Sequence, residues 1–176
     1  MCQGWNSDVT RAMPAQRGDR YALLFVCLGN ICRSPLAEAL FVHHAQERGV
    51  IDRFDIDSCG TGHWHVGGRA DPRSIAIGAK YGVDVPSIAR QVDPQNDFDR
   101  FDLLLAMDRS NRDDLIDLGA DPERVRLMLS IDPANADVKG HKLDVPDPYY
   151  GRGDQGFERV YAMLDRATSG LLDKLI

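Results

Sequence analysis

The chain has 176 residues, 43% apolar and 27% charged, with 21 Lys plus Arg against 27 Asp plus Glu for a net charge of −6. That length suits one compact domain with a core of useful size. The acidic balance argues against a nucleic-acid binder working through a broad basic surface, and no apolar run approaches the ~18 residues that span a bilayer.

The first 20 residues, "MCQGWNSDVTRAMPAQRGDR", lack a basic segment followed by an apolar one, so they do not read as a secretory signal. Their Gly, Asn, Ser, Asp and Pro content reads as a flexible N-terminal arm over 1–20, leaving 21–176 as a single domain. The four cysteines, Cys2, Cys27, Cys32 and Cys59, form no Cys-x-x-Cys pair, which argues against structural zinc. Without a secretory signal, a reduced cytoplasmic setting is expected.

"YALLFVC" (21–27) is a continuous apolar run and predicts a fully buried strand. "LGNICRS" follows as a tight loop. Ser34 as N-cap with Pro35 behind it predicts a helix start; Leu36, Leu40, Phe41 and His44 recur at helical spacing, and Gly49 closes the helix. "FDIDSCG" (54–60) reads as a second strand, and 71–82 as a helix capped by Asp71 with Pro72 at its first turn. A third buried strand is expected over 102–107, a helix from Arg109 closed by Gly119, and a fourth strand over "RVRLMLSI". After a long polar loop, Phe157, Val160, Tyr161, Leu164, Leu171, Leu172 and Leu175 share one face of a final helix. Strands alternating with helices predict an α/β fold, a parallel sheet covered on both faces, with the site at the carboxyl ends of the strands.

The loop after the first strand is the leading candidate for that site. Amide N–H groups at a helix N-terminus favour an anion. Gly29 permits close backbone approach, and Asn30 tolerates the left-handed region. Residues Leu28, Gly29, Asn30, Ile31, Cys32, Arg33 and Ser34, folded around a central anion, would offer it a ring of donors, and the Arg33 fork matches two phosphate oxygens. That positive field favours the thiolate of Cys27, to whose sulfur Ser34 would donate a hydrogen bond. A thiolate held against a bound phosphate is a nucleophile for phosphoryl transfer. Cleavage of an ester also needs a proton for the leaving oxygen. Asp147, stiffened by Pro146 and Pro148 and walled by Tyr149 and Tyr150, is the candidate acid; apolar surroundings favour the protonated form. Asp144 and Asp154 lack the flanking prolines. His63 and His65 flank Trp64 with no third ligand nearby, so neither a metal nor another cofactor is expected.

"VCLGNICRSP" and "PDPYYG" resemble the phosphate-binding signature and general-acid loop of the low-molecular-weight protein tyrosine phosphatases. "GTGHWHVGGRADPRS", "ARQ" and "DLLLAMDRSN" fit the same family in the same order, so the resemblance covers roughly 21–175. It implies a three-layer αβα fold with a four-stranded parallel sheet in the order 2-1-3-4. It implies Cys27 as nucleophile, Arg33 as phosphate clamp and Asp147 as general acid. Asn30, Ser34 and Ser58 would support the loop, and Ile31, Trp64, Tyr149 and Tyr150 would form the substrate cleft. The reaction implied is hydrolysis of phosphotyrosine in a protein substrate through a cysteinyl-phosphate, by a monomer or weak homodimer, with no cofactor, nucleic acid or membrane insertion. One departure falls at Ser87, where the family often has His, so a hydrogen bond to the loop is expected to be missing or rerouted. The first 20 residues also extend beyond the usual start.

Three other readings share these residues. An arsenate reductase of this fold relays a disulfide along cysteines in the second half of the chain, and none follows Cys59. In related arginine phosphatases a threonine follows the loop asparagine; Ile31 stands there instead. A phosphopeptide-binding module without turnover would have no need of both Cys27 and Asp147. Finally, a loop curled round one phosphate brings Cys27 near Cys32, within the ~4.4–6.8 Å Cα separation of a disulfide. Cys32 is therefore a candidate to resolve a Cys27 sulfenic acid reversibly, a role the resemblance also supports.

Overall fold

The computed structural model describes residues 12–151 and 153–176. Four strands, β1 (Tyr21–Cys27), β2 (Phe54–Gly60), β3 (Leu103–Ala106) and β4 (Val125–Leu127), form one parallel sheet in the order β2-β1-β3-β4. This is the fold and strand order implied by the resemblance. Every residue of β1, β3 and β4 is buried, as expected of strands covered on both faces. The helices are α1 (Arg33–Glu47), α2 (Pro72–Lys80), α3 (Pro94–Arg100), α4 (Arg109–Asp117) and α5 (Gln155–Leu175). α1, α2 and α5 pack together, while α4 packs on β3 and β4. Right-handed crossovers account for the division: β1–α1–β2 steps toward one sheet edge and β3–α4–β4 toward the other, so the two helices fall on opposite faces. The strand order reverses between β1 and β3, and a ligand crevice opens beyond their carboxyl ends at such a point.

Three elements differ from expectation. Helix α1 begins at Arg33, with Cys32 rather than Ser34 at the N-cap and no side-chain capping bond. The Ser34 hydroxyl is committed to the preceding loop, and Pro35 sits in the first turn, where its missing N–H forfeits no intrahelical bond. Strand β4 stops at Leu127 and gives way to a 3₁₀ turn at Met128–Ser130. β3 itself ends at Ala106, the partner of Leu127, so β4 has no strand to pair with beyond that point. Helix α3 has an Asp93 cap and Pro94 at its start, but its one buried residue, Asp97, offers no apolar period to read.

The expectation of a flexible arm falls in part on residues 1–11, outside the described residues. Within 12–20, Arg17 donates to the buried Asp102 carboxylate (3.1 Å from both backbone N and Nε) and to the carbonyls of Asp99 and Phe101. Tyr21 donates to the Pro14 carbonyl (2.8 Å).

The end of β2 braces the loop after β1. Thr61 N–H donates to the Cys27 carbonyl (2.9 Å) and Gly62 N–H to the Leu28 carbonyl (2.8 Å). A Cβ on Gly60 would lie 2.7 Å from the Leu28 carbonyl oxygen and 3.2 Å from the Asn30 nitrogen. Both are backbone atoms, so Gly60→Ala should shift the loop and lower stability by about 1–3 kcal/mol, the usual range for overpacking. Urea unfolding measures this; an unchanged midpoint would mean that the loop yields freely.

Candidate active site

Cys27 ends β1, and the chain turns at Asn30, which has φ 52° and is the only non-glycine with positive φ among the described residues. That left-handed turn aims the Asn30 N–H at the Cys27 sulfur (3.2 Å). The Asn30 side chain is fastened on both sides. Its Oδ1 accepts the Arg90 N–H (2.9 Å), and its Nδ2 donates to the hydroxyls of Ser34 and Ser58 (2.9 Å each). Ser34 Oγ lies 3.0 Å from Cys27 Sγ and 3.3 Å from the Cys59 carbonyl. Ser34 accepts from Asn30 and has one proton, which it donates to the Cys59 carbonyl in this arrangement; a thiolate at Cys27, the stronger acceptor, would draw it to the sulfur.

The network continues to Glu38, one helical turn beyond Ser34. Ser58 donates to Glu38 Oε2 (2.5 Å) and Ser87 donates to the same oxygen (2.8 Å). Ser87 therefore supports the loop through Glu38 and Ser58, a rerouting of the bond expected at that position. Burial raises the Glu38 carboxyl above the ordinary glutamate range, and the two serine hydroxyls work against that rise. The Arg90 guanidinium pairs with Asp97 (2.8 Å) and Asp57 (3.0 Å), locking its strand of backbone beside Asn30.

Arg33 is almost fully buried at the start of α1. Nη1 donates to Asp108 Oδ2 (2.6 Å) and the Val145 carbonyl (3.1 Å), and Nη2 lies 3.4 Å from Asp147 Oδ2. Burial opposes its charge, but Cys27, Asp108 and Asp147 outweigh that effect and hold the guanidinium protonated. Asp108 follows β3 and caps α4 through the Asn111 N–H (2.8 Å). Asp147 follows two residues after Val145, whose N–H donates to the Met107 carbonyl just past β3 (2.7 Å); its other oxygen accepts the Tyr149 N–H (3.1 Å). Asp144 is tied to Arg109 (3.0 Å) and is not among the residues lining this cleft.

These groups line one cleft of about 310 Å³: Cys27, Leu28, Gly29, Ile31, Cys32 and Arg33 on its floor, with Trp64, His65, Asp147, Tyr149 and Tyr150 around it. Trp64 and Tyr150 are the most exposed of its aromatic walls, at 67% and 82%, and Tyr150 meets Tyr149 edge to face. The cleft thus gathers the sequence-predicted nucleophile, clamp, acid and cleft residues, while Asn30, Ser34 and Ser58 lie buried beneath it. The two histidines diverge: His63 stacks on Trp64, whereas His65 stands over Gly29 and faces Tyr149.

Sequence reasoning gave no site role to Asp108, Glu38 or Arg90, and weighed His65 only as a metal ligand. Asp108 carried a usable signal, its place at the carboxyl end of a buried strand. Cys32 and Cys59 are buried free thiols. Burial, reinforced by the Asp71 and Cys27 charges, pushes Cys32 up to about 12, and burial raises Cys59 well above the ordinary thiol range.

Comparison with known proteins converges on one family. The family model described as low molecular weight phosphotyrosine protein phosphatase matches residues 22–176. A low molecular weight protein-tyrosine-phosphatase of Streptomyces coelicolor is 46% identical over 155 residues, 86% of this chain and 92% of the relative. A low molecular weight phosphotyrosine protein phosphatase of Schizosaccharomyces pombe is 46% identical over 81% of this chain and 88% of its own. The crystal structure of a protein tyrosine phosphatase from Entamoeba histolytica, with Hepes in its active site, superposes with a TM-score of 0.80 at 39% identity, covering 88% and 96% of the two chains. With the phosphate-loop sequence on β1 and α1 and the matched span running to the last residue, this chain belongs to the low-molecular-weight phosphotyrosine protein phosphatase family.

Proposed function

We propose that the protein hydrolyses phosphotyrosine in protein substrates, with Cys27 as nucleophile, Arg33 as clamp and Asp147 as general acid. One observation carries this reading: the Cys27 sulfur, the Arg33 fork and the Asp147 carboxyl meet in a single cleft whose outer walls are aromatic and apolar. The walls suit an aryl ring, and the first-turn amides of α1 lack intrahelical partners and suit a dianion.

In the first step the Cys27 thiolate attacks phosphorus, the bond from phosphorus to the tyrosyl oxygen breaks, and that oxygen takes the Asp147 proton. Arg33 and the loop amides hold the charge on the three phosphoryl oxygens as they move toward the sulfur. In the second step Asp147, now a carboxylate, takes a proton from water as the water oxygen attacks phosphorus. The sulfur–phosphorus bond breaks, and Ser34 and the Asn30 N–H stabilise the departing thiolate.

Cys27→Ser should abolish turnover yet keep vanadate affinity within a few-fold, because Arg33 and the loop amides remain; phosphatase assay and vanadate titration read both. Activity within tenfold of the native enzyme would exclude covalent catalysis at Cys27.

Asp147→Asn should lower kcat on a phosphotyrosine peptide by roughly 10²- to 10⁴-fold. An activated aryl phosphate, whose leaving group departs unprotonated, should lose far less. Equal losses on the two substrates would remove Asp147 from acid catalysis.

Cys32 lines the same cleft and is proposed to resolve oxidised Cys27. Peroxide converts the Cys27 thiolate to a sulfenic acid, and a Cys32 thiolate attacks that sulfur, expelling hydroxide and forming the disulfide. With Cys32 raised to about 12, its thiolate fraction grows roughly tenfold per pH unit across the neutral range. The bridging rate, followed by mass spectrometry after peroxide, should rise accordingly from pH 7 to 9. Native enzyme should regain most of its activity in dithiothreitol and Cys32→Ser much less; equal recovery would refute the protective role.

A further inference from the structure

Arg73, in the first turn of α2, contacts neither the sulfur nor the cleft floor, yet it sits between the two loops that carry the chemistry. One side of it is tied to the phosphate-binding loop. Its Nε and Nη2 form a two-pronged pair with the buried Asp71 carboxylate (3.0 and 2.9 Å), and the Asp71 N–H donates to the Ile31 carbonyl at 2.7 Å. The next residue adds to this tie, since Ser74 donates to the Cys32 carbonyl (3.3 Å). The other side is tied to the acid loop: Arg73 Nη2 donates to the Tyr149 carbonyl (3.3 Å). The guanidinium is also flanked by two rings, its Cζ lying 4.6 Å from the Phe157 centroid and 5.7 Å from that of Tyr149.

Tyr149 is the residue whose N–H holds Asp147 Oδ1. Its peptide is thus gripped at both ends, by the acid through the N–H and by Arg73 through the carbonyl. Pro146 and Pro148 restrict the backbone on either side of Asp147 but supply no bond across to the phosphate-binding loop. Arg33 reaches the segment through the Val145 carbonyl before Pro146 (3.1 Å) and the weak 3.4 Å approach to Asp147, and its guanidinium is also needed for the phosphoryl group; on the Tyr149 side of the acid the link runs through Arg73.

We propose that Arg73 is a positioning residue for leaving-group protonation, splinting the Asp147 loop to the phosphate-binding loop so that acid and nucleophile keep one separation. The inference rests on the reading of Asp147 as the acid. Lysine cannot replace arginine here, because a single ammonium cannot pair side-on with Asp71, reach the Tyr149 carbonyl and stack on Phe157 together. A misplacement of about 1 Å costs up to 10²-fold in rate, so a loosened acid should show as a clear loss confined to the protonated step.

The test compares Arg73→Ala, Arg73→Lys, Asp147→Asn and the Arg73→Ala/Asp147→Asn double variant on a phosphotyrosine peptide and on an activated aryl phosphate, with vanadate affinity measured alongside. Arg73→Ala should lower kcat on the peptide by about tenfold while changing the activated substrate and vanadate affinity by less than threefold. Arg73→Lys should not restore the peptide rate, and Arg73→Ala should add nothing in the Asp147→Asn background. Equal losses on both substrates, a parallel loss of vanadate affinity, rescue by lysine or additive losses in the double variant would each overturn the proposal. If Asp147→Asn itself shows no dependence on leaving group, the acid assignment fails and takes this inference with it; if it shows that dependence and Arg73→Ala does not, only the splint fails. Should Arg73→Ala not fold, Phe157→Leu loosens the same guanidinium from its other face. It should give the same pattern at smaller size, and its absence there would also overturn the proposal.

Discussion

The active site hangs on the conformation of one residue. At φ 52° Asn30 occupies a region that a side chain with a Cβ enters at a cost of roughly 1–3 kcal/mol when forced there. Three side-chain hydrogen bonds and the closeness of Gly60 hold it in place. The arrangement has a consequence for proton direction. The Arg90 N–H can only donate, so the Asn30 oxygen must face it and the amide nitrogen must face the serines. Ser58 then donates to Glu38, and Ser34 has one proton to divide between the Cys59 carbonyl and the sulfur, the sulfur being the stronger acceptor once it is a thiolate. A backbone amide some distance from the cleft thereby fixes which end of the Asn30 amide meets the two serines.

The same logic explains the wide sequence spread of the functional residues. A parallel sheet places every strand's carboxyl end on one side, and the reversal of order between β1 and β3 parts the two connections that follow them. Cys27 ends β1, and Asp108 lies just after β3. Val145, whose N–H donates to the Met107 carbonyl just past β3, brings in Asp147 two residues later.

Much of this was legible without coordinates, and the reasons differ by element. β1, β3 and α5 carry unbroken apolar runs or a clear helical stripe, and those periods survive any tertiary context. Cys27, Arg33 and Asp147 stood out because their chemistry is rare in such settings: a thiol beside a helix start, a fork at the far end of one loop, a carboxyl between prolines. α3 was illegible because a helix whose one buried residue is an aspartate has no apolar period. The start of α1 was displaced because Ser34 has the composition of a cap but spends its hydroxyl on the sulfur and Asn30. Arg73 and Glu38 were invisible as functional residues for a deeper reason. Their neighbours in space come from other elements, Tyr149 and Phe157 for one and Ser58 and Ser87 for the other, and no local pattern records such meetings.

The charges in the cleft follow from how Arg33 divides its donors. A buried guanidinium needs a permanent counter-charge, and Asp108 supplies it through Nη1, which also holds the Val145 carbonyl. That nitrogen is fully engaged and fixes the plane of the fork. Nη2 has only the 3.4 Å approach to Asp147, too long to be a strong hydrogen bond, so this edge can turn from the carboxylate to an incoming phosphoryl oxygen at little cost. Were Asp108 absent, Asp147 would be the nearest counter-ion and would be drawn into a tight pair with Arg33. Asp147 would then be pinned to Arg33, and the fork would have no free edge for an anion. By keeping Arg33 compensated from the β3 side, Asp108 leaves both Asp147 and the outer edge of the fork unpinned.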